Sequence, residues 1–107
     1  MTTIEHWIGG STTGGTESRR APVYNPATGR QQHEVVLAET ADVDAAVAAA
    51  KAAFTPWSQA SLSKRTKILF AFRELVNANV RQLAEIVSDE HGQVLSDAAG
   101  EVQRGLE

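Results

Sequence analysis

The sequence predicts a mixed α and β fold in which short antiparallel strands are followed by about four helices. Two observations support this prediction. Five of the eight glycines lie in the first forty residues, together with a short β-branched run at 34–37, as is typical of strands and turns. From residue 40 onward the apolar residues recur about every 3.6 positions, the period of an amphipathic helix. We therefore divide the chain into a strand region, 1–39, and a helical segment, 40–107.

The strand region carries two turn signals. A short run at 6–8 precedes Gly9 and Gly10, which predicts a strand entering a hairpin turn. The stretch 25–29 reads Asn-Pro-Ala-Thr-Gly, in which the proline presets its own φ and the glycine can adopt a positive φ. An extended run resumes at 34–37. These signals predict a small antiparallel patch.

The first two helices follow from caps and apolar spacing. Thr40 is a candidate N-cap of the first helix, and Pro56 is expected to close it. Ser61 is placed to cap the second helix, and Asn77 and Asn79 predict a break after it. The apolar stripe expected to be buried on the second helix consists of Leu62, Ile68, Leu69, Phe72, Leu75 and Val76.

Two further helices complete the chain. The third is expected to end near Gly92, a residue suited to the left-handed position after a helix. The fourth starts at about Leu95 or Ser96 and is still running at Glu107, which suggests a piece of a longer protein. The apolar stripes need a partner surface. A bundle of the four helices closing on itself would supply one, but helices that cover a sheet outside this chain are the favoured interpretation.

Composition limits the classes of function. Thirteen acidic and ten basic residues give a net charge of −3, and the basic residues form no patch typical of nucleic-acid binding. The sequence has neither an apolar run long enough to cross a bilayer nor a signal-peptide pattern, so we expect no membrane partner and a cytoplasmic location. There is no cysteine, which excludes a cysteine nucleophile from these 107 residues.

Few residues are candidates for chemistry. The three histidines are far apart and lack the spacing of metal ligands on a helix, so we expect no metal site. No glycine-rich phosphate motif precedes a helix, so we expect no cofactor site, and no residue fits a catalytic role. Arg104 is flanked by small and apolar residues on the last helix. Its pattern alone fits a surface arginine better than a ligand-binding one, although a guanidinium facing a pocket would suit a carboxylate.

The order of short motifs gives a more specific indication. Trp-Ile-Gly-Gly at 7–10 is followed by the turn at 25–29, by Asp-Val-Asp-Ala-Ala-Val at 42–47 leading to Trp57, and by Glu-x-Gly at 90–92. This ordered series resembles the start of the aldehyde dehydrogenase superfamily. The closing segment 100–107 (GEVQRGLE) is most similar to the CoA-acylating methylmalonate-semialdehyde dehydrogenases. One departure is Gln93, where many relatives carry lysine.

The resemblance implies an incomplete part of an NAD-binding domain and a full-length enzyme that uses NAD and CoA. In such an enzyme a downstream cysteine attacks methylmalonate or malonate semialdehyde and hydride passes to NAD. The thioester is then transferred to CoA with loss of the carboxylate carbon, giving propionyl-CoA or acetyl-CoA. Arg104 matches the arginine held to contact the substrate carboxylate in that family. The resemblance further implies a homo-oligomer, dimer or tetramer. This chain by itself is expected to bind no cofactor and to be inactive.

Two other functions stay open at this point. The first is a stand-alone, non-catalytic binding or assembly module that docks on a partner through the exposed helical stripes. The second is another aldehyde dehydrogenase subtype, such as a succinate-semialdehyde dehydrogenase. A downstream cysteine-containing catalytic domain would refute the first alternative, and the substrate of the complete enzyme would decide the second.

Overall fold

A computed structural model describes residues 1–15 and 19–107, which form strands followed by helices. The mixed α and β prediction is therefore confirmed. The strands are β1 (Thr2–Ile4), β2 (His6–Ile8), β3 (Ser11–Thr13), β4 (Arg20–Asn25) and β5 (Arg30–Val36). The helices are α1 (Thr40–Gln59), α2 (Leu62–Ala78), α3 (Val80–His91) and α4 (Leu95–Leu106).

The hairpin predicted at the first glycine pair is present. Strands β2 and β3 pair antiparallel, with Trp7 opposite Thr12. Gly9 and Gly10 form the two-residue connection and have φ of 64° and 87°. Positive φ at both positions gives the turn a twist that matches its flanking strands, and glycine reaches these angles without steric cost.

The second sheet corrects one part of the prediction. Its strand order is β1-β5-β4, and β1 pairs parallel with β5, so the patch is not purely antiparallel. Two strands that pair across about thirty intervening residues leave no local signal of their direction. The turn at 25–29 is as expected: the Asn25 side chain accepts a hydrogen bond from the Ala27 amide at 2.9 Å, and Gly29 has φ 73°.

Helix α1 differs from the prediction at its end. Pro56 lies inside the helix, which continues to Gln59, so the expectation that this proline closes it is wrong. A proline lacks the N–H that would donate to the carbonyl four residues earlier, yet α1 continues for three residues beyond Pro56. At the start, the buried carboxylate of Asp42 accepts a hydrogen bond from the Glu39 amide at 2.9 Å. This contact resembles the backward half of a capping box.

The cap of α2, the break at Asn79 and the end of α3 were predicted correctly, whereas Asn77 lies inside α2. The Ser61 hydroxyl accepts a hydrogen bond from the Lys64 amide at 3.1 Å and caps α2. Asn79 separates α2 from α3. Gly92 ends α3 in the left-handed conformation, with φ 83° and its amide bonded to Ser88 O. Each helix therefore begins or ends where a residue satisfies backbone groups that the helix leaves unpaired.

The contacts group the chain into two units. The first comprises residues 1–24 and 31–59, and the second comprises 25–30 and 60–107. Helix α1 thus groups with the strands, whereas the boundary after residue 39 marks a change of secondary structure and stays a prediction as a domain boundary. In the first unit the buried residues are Val36 and Asp42, and in the second they are Ala84 and Ala98.

The apolar stripe of α2 remains exposed. None of the residues of α2 is buried, and Leu69 and Phe72 are 60% and 63% exposed. Helices α3 and α4, which belong to the same unit as α2, therefore do not bury this stripe. Among the described helices, none is long and apolar enough to cross a membrane.

Candidate functional site

Arg104 lies in the last turn of α4, in the second unit. Its side chain is 70% exposed, and its Nη2 atom donates a hydrogen bond to Oε1 of Glu101 at 3.0 Å. Residues three apart on a helix share a face, so this pair is a local contact within α4. This hydrogen bond engages one donor of the guanidinium and leaves most of the side chain exposed.

A polar cleft runs along this face of α4. Ser96 and Gly100, with small or no side chains, leave space beside the charged residues, and a Cβ added at Gly100 would meet no atom within 4 Å. A planar guanidinium at the end of such a cleft can bind a carboxylate through two parallel hydrogen bonds. The cleft is lined by Gln93, Ser96, Asp97, Gly100, Glu101 and Arg104.

The corner between α3 and α4 fixes the direction of the helix that carries Arg104. The Ser88 hydroxyl donates a hydrogen bond to the Gln93 carbonyl at 2.7 Å and so closes the corner. A Cβ built on Gly92 would lie 3.0 Å from Cγ of Pro26, a residue of the β4–β5 turn. Two of the motifs in the sequence series, the turn at 25–29 and the Glu-x-Gly turn, therefore touch each other and support α4.

Gln93 has a role that the sequence did not suggest. Its Oε1 atom is buried and has no hydrogen-bond partner in the described part of the chain, although the residue also lines the polar cleft. A buried amide oxygen without a partner is unfavourable, so this atom is a candidate acceptor for a donor group outside these residues. The sequence had marked position 93 only by its missing lysine.

Sequence reasoning also missed a contact in the first unit. Nε2 of His6 lies 3.9 Å from Oδ2 of Asp42, and a Cβ added at Gly15 would meet both atoms. In the sequence this acid stood out only as the first residue of the motif at 42–47, because a buried and an exposed aspartate near a helix start give the same local pattern. This cluster brings a hairpin strand to the beginning of α1.

The other two histidines belong to different units, His33 to the first and His91 to the second. His33 accepts a hydrogen bond from the Thr2 amide at 3.3 Å, and His91 is the last residue of α3. Within residues 1–15 and 19–107, no three side chains of the types that bind metal ions come together.

An apolar groove occupies another part of the second unit, between α2 and the end of α4. It is formed largely by the exposed apolar stripe of α2 and by the C-terminal residues of α4. Its lining consists of Thr66, Leu69, Phe70, Phe72, Arg73, Val76, Gly105, Leu106 and Glu107.

Comparison with known proteins gives consistent results. Residues 13–107 match the profile of the aldehyde dehydrogenase family. Malonate-semialdehyde dehydrogenase of Pseudomonas aeruginosa is 39% identical over 107 residues, which cover the whole chain and 21% of that protein. The enzyme of the same name from Bacillus pumilus is 42% identical over 104 residues, covering 97% of the chain and 21% of the enzyme.

The fold has matching solved structures. A protein from Sinorhizobium meliloti, assigned as a methylmalonate-semialdehyde dehydrogenase and complexed with NAD, is 41% identical with a TM-score of 0.93. The match covers 97% of this chain and 21% of that one. A succinate-semialdehyde dehydrogenase from Burkholderia pseudomallei is 31% identical with a TM-score of 0.91, covering 96% of this chain and 21% of that one. The chain thus spans about a fifth of the length of the relatives it matches.

Proposed function

Because this chain belongs to the aldehyde dehydrogenase family, we propose that it is part of an NAD-dependent, CoA-acylating semialdehyde dehydrogenase. The substrate would be malonate or methylmalonate semialdehyde, and the products acetyl-CoA or propionyl-CoA, NADH and carbon dioxide, which carries away the carboxylate carbon. The names of the relatives at about 40% identity support this choice of substrate. The observation on which the proposal depends is an exposed arginine, Arg104, at the end of a polar cleft.

The role of Arg104 would be to bind the carboxylate of the semialdehyde. In both proposed substrates a single carbon separates a carboxylate from the aldehyde. A guanidinium with free N–H groups can bind this carboxylate through a bidentate pair of hydrogen bonds. Such a contact would orient the aldehyde and would discriminate against aldehydes without a negative charge. In this proposal the chain supplies recognition of the substrate and not the reacting groups.

The cofactors would be held by other parts of the enzyme. Bound NAD would accept the hydride and CoA the acyl group, and we propose that this chain holds neither. Of its positive-φ glycines, Gly9, Gly10 and Gly29 lie in turns, Gly15 comes after β3 and Gly92 directly follows α3, whereas Gly100 and Gly105 lie inside α4. None of these glycines forms a phosphate-binding loop between a strand and the start of a helix. We also propose that the nucleophile lies in another part of the enzyme, since these 107 residues include no cysteine. We also propose that the complete enzyme is a homo-oligomer, a dimer or a tetramer.

The proposed function is tested by replacing Arg104 with alanine in the enzyme that contains this chain. We expect KM for malonate semialdehyde to rise about 10- to 100-fold, the size expected for losing a charged hydrogen bond. KM for propanal, which has no carboxylate, should change little. Steady-state kinetics of both substrates measure the difference.

Arg81 provides a matched control for this substitution. It is an exposed arginine on the neighbouring helix α3, where it pairs with Glu85. The Arg81→Ala variant should leave both KM values within about twofold, a change smaller than half a kcal/mol. Equal effects of Arg104→Ala on the two aldehydes, or none on either, would contradict the carboxylate role.

The succinate-semialdehyde dehydrogenase alternative keeps some support from the Burkholderia pseudomallei structure, at 31% identity. Succinate semialdehyde also carries a carboxylate, one carbon further from the aldehyde than in malonate semialdehyde. An enzyme of this alternative type would prefer the longer substrate and would release the free acid without CoA. Measuring the rates with malonate semialdehyde and with succinate semialdehyde, each with and without CoA, distinguishes the two activities.

A further inference from the structure

Glu101 accepts the hydrogen bond that the structure gives to Arg104. The two side chains lie one turn apart on α4, with Nη2 of the arginine 3.0 Å from Oε1 of the glutamate. Both line the polar cleft. The carboxylate is therefore in a position to orient the guanidinium that the proposed function assigns to the substrate.

The local sequence explains why this contact forms. Side chains on a helix lean toward its N-terminus, so Arg104 extends over the turn that contains positions 100 and 101. Position 100 is glycine, and the space beside it is open. The guanidinium can thus lie back along the cleft, where the glutamate side chain meets it.

We propose that Glu101 is a positioning residue that holds Arg104 in the orientation required to bind the carboxylate of the substrate. This inference rests on the proposed function. A guanidinium has five N–H donors, and the contact with Glu101 uses one of them. Enough donors remain for the carboxylate of the substrate to form a bidentate pair of hydrogen bonds with the same guanidinium.

Glu101 would also affect binding through its charge. Its carboxylate repels the carboxylate of the substrate, while its hydrogen bond orders the arginine. A glutamine at this position keeps an oxygen that accepts the hydrogen bond but removes the negative charge. An alanine removes both the acceptor and the charge, so the two substitutions separate orientation from repulsion.

The experiment measures kcat and KM for malonate semialdehyde in the complete enzyme with Glu101→Ala and Glu101→Gln. We expect alanine to raise KM about three- to fivefold, the upper range for an exposed ion pair. The rate constant kcat should stay within about twofold, since the pair acts on binding. Glutamine should return KM to the parental value or below it. KM for propanal should be unchanged in both variants.

Glu85→Ala is the matched control. Glu85 is 50% exposed and pairs with Arg81 at 3.1 Å on α3, whereas Glu101 is 51% exposed and pairs with Arg104 at 3.0 Å. Loss of this control pair should leave KM unchanged. If Glu101→Ala behaves like Glu85→Ala, or if glutamine fails to restore KM, Glu101 does not position the arginine.

A double variant distinguishes failure of this inference from failure of the proposed function. If Glu101 positions the substrate only through Arg104, then Glu101→Ala should not raise KM further in an enzyme that already carries Arg104→Ala; relief of the repulsion should leave KM equal or lower. An additional rise in KM would overturn the inference while leaving the role of Arg104 intact. If Arg104→Ala itself has no effect on KM, it is the proposed function that fails.

Discussion

At the scale of single residues, Gly92 is the clearest case of a backbone requirement read from the sequence. Its φ of 83° is strained for any residue with a Cβ, and such an atom would lie 3.0 Å from Pro26. The sequence predicted glycine's place at the end of α3, but not the proline that faces it. That contact joins segments more than sixty positions apart, so no local pattern contains it.

We predict that Gly92→Ala destabilises the protein by about 1–2 kcal/mol, the cost of the left-handed conformation for an L-residue. Gly100→Ala is the control, because it lies inside α4 with open space around it. This second variant should stabilise the protein by about 0.5–1 kcal/mol through its higher helix propensity. Urea unfolding measures both. If the free energy of unfolding changed by the same amount and with the same sign in both variants, this account of the corner between α3 and α4 would be contradicted.

Residues at the site were harder to predict. The position of Arg104 came from similarity to a known segment, since an arginine on a polar helix face carries no distinctive spacing. The buried Asp42 and the buried amide oxygen of Gln93 were missed for a related reason. Burial depends on which distant segments pack above a residue, and a local sequence pattern records only its neighbours along the chain.

At the scale of elements, capping residues and the period of apolar residues predicted the positions of the helices. Ser61, Asn79 and Gly92 stand where α2 and α3 begin or end. Pro56 was misplaced because a proline inside a helix removes a hydrogen bond without always ending the helix. Strand direction was predicted correctly in the hairpin, where a two-residue turn dictates it, and wrongly for β1, whose partner is distant.

Helix α2 yields a prediction about its exposed apolar face. Replacing Leu69 and Phe72 together with glutamate should reduce self-association of the 107-residue chain, because large exposed apolar patches promote association. The helix itself should persist, since neither side chain is buried. Light scattering reports association, and circular dichroism reports helix content.

The contrasting control is glutamate at a buried position. Ala84 is 1% exposed in α3, so Ala84→Glu should unfold the α3–α4 pair by burying an unpaired charge. In the complete enzyme, the paired substitutions on α2 should impair folding or assembly if that face is covered there. Unchanged association of the short chain after both substitutions would show that another surface is responsible.

At the scale of the whole molecule, the family was predictable because an ordered set of weak motifs extends over most of the chain. The match to the family over residues 13–107 confirms it. The catalytic residues could not be predicted from these positions, since the chain spans about 21% of its relatives' length and carries no cysteine. What these residues can supply to an enzyme is a support for α4 and the cleft that ends at Arg104.

The most direct test of the account is the product balance of the enzyme that contains this chain, measured with malonate semialdehyde, NAD and CoA. We predict that acetyl-CoA and NADH form in equal amounts and that the isolated 107-residue chain forms neither. Release of the free acid alongside NADH, with no acetyl-CoA, would contradict the acylating function. Formation of NADH by the isolated chain would contradict the assignment of the reacting groups to other parts of the enzyme.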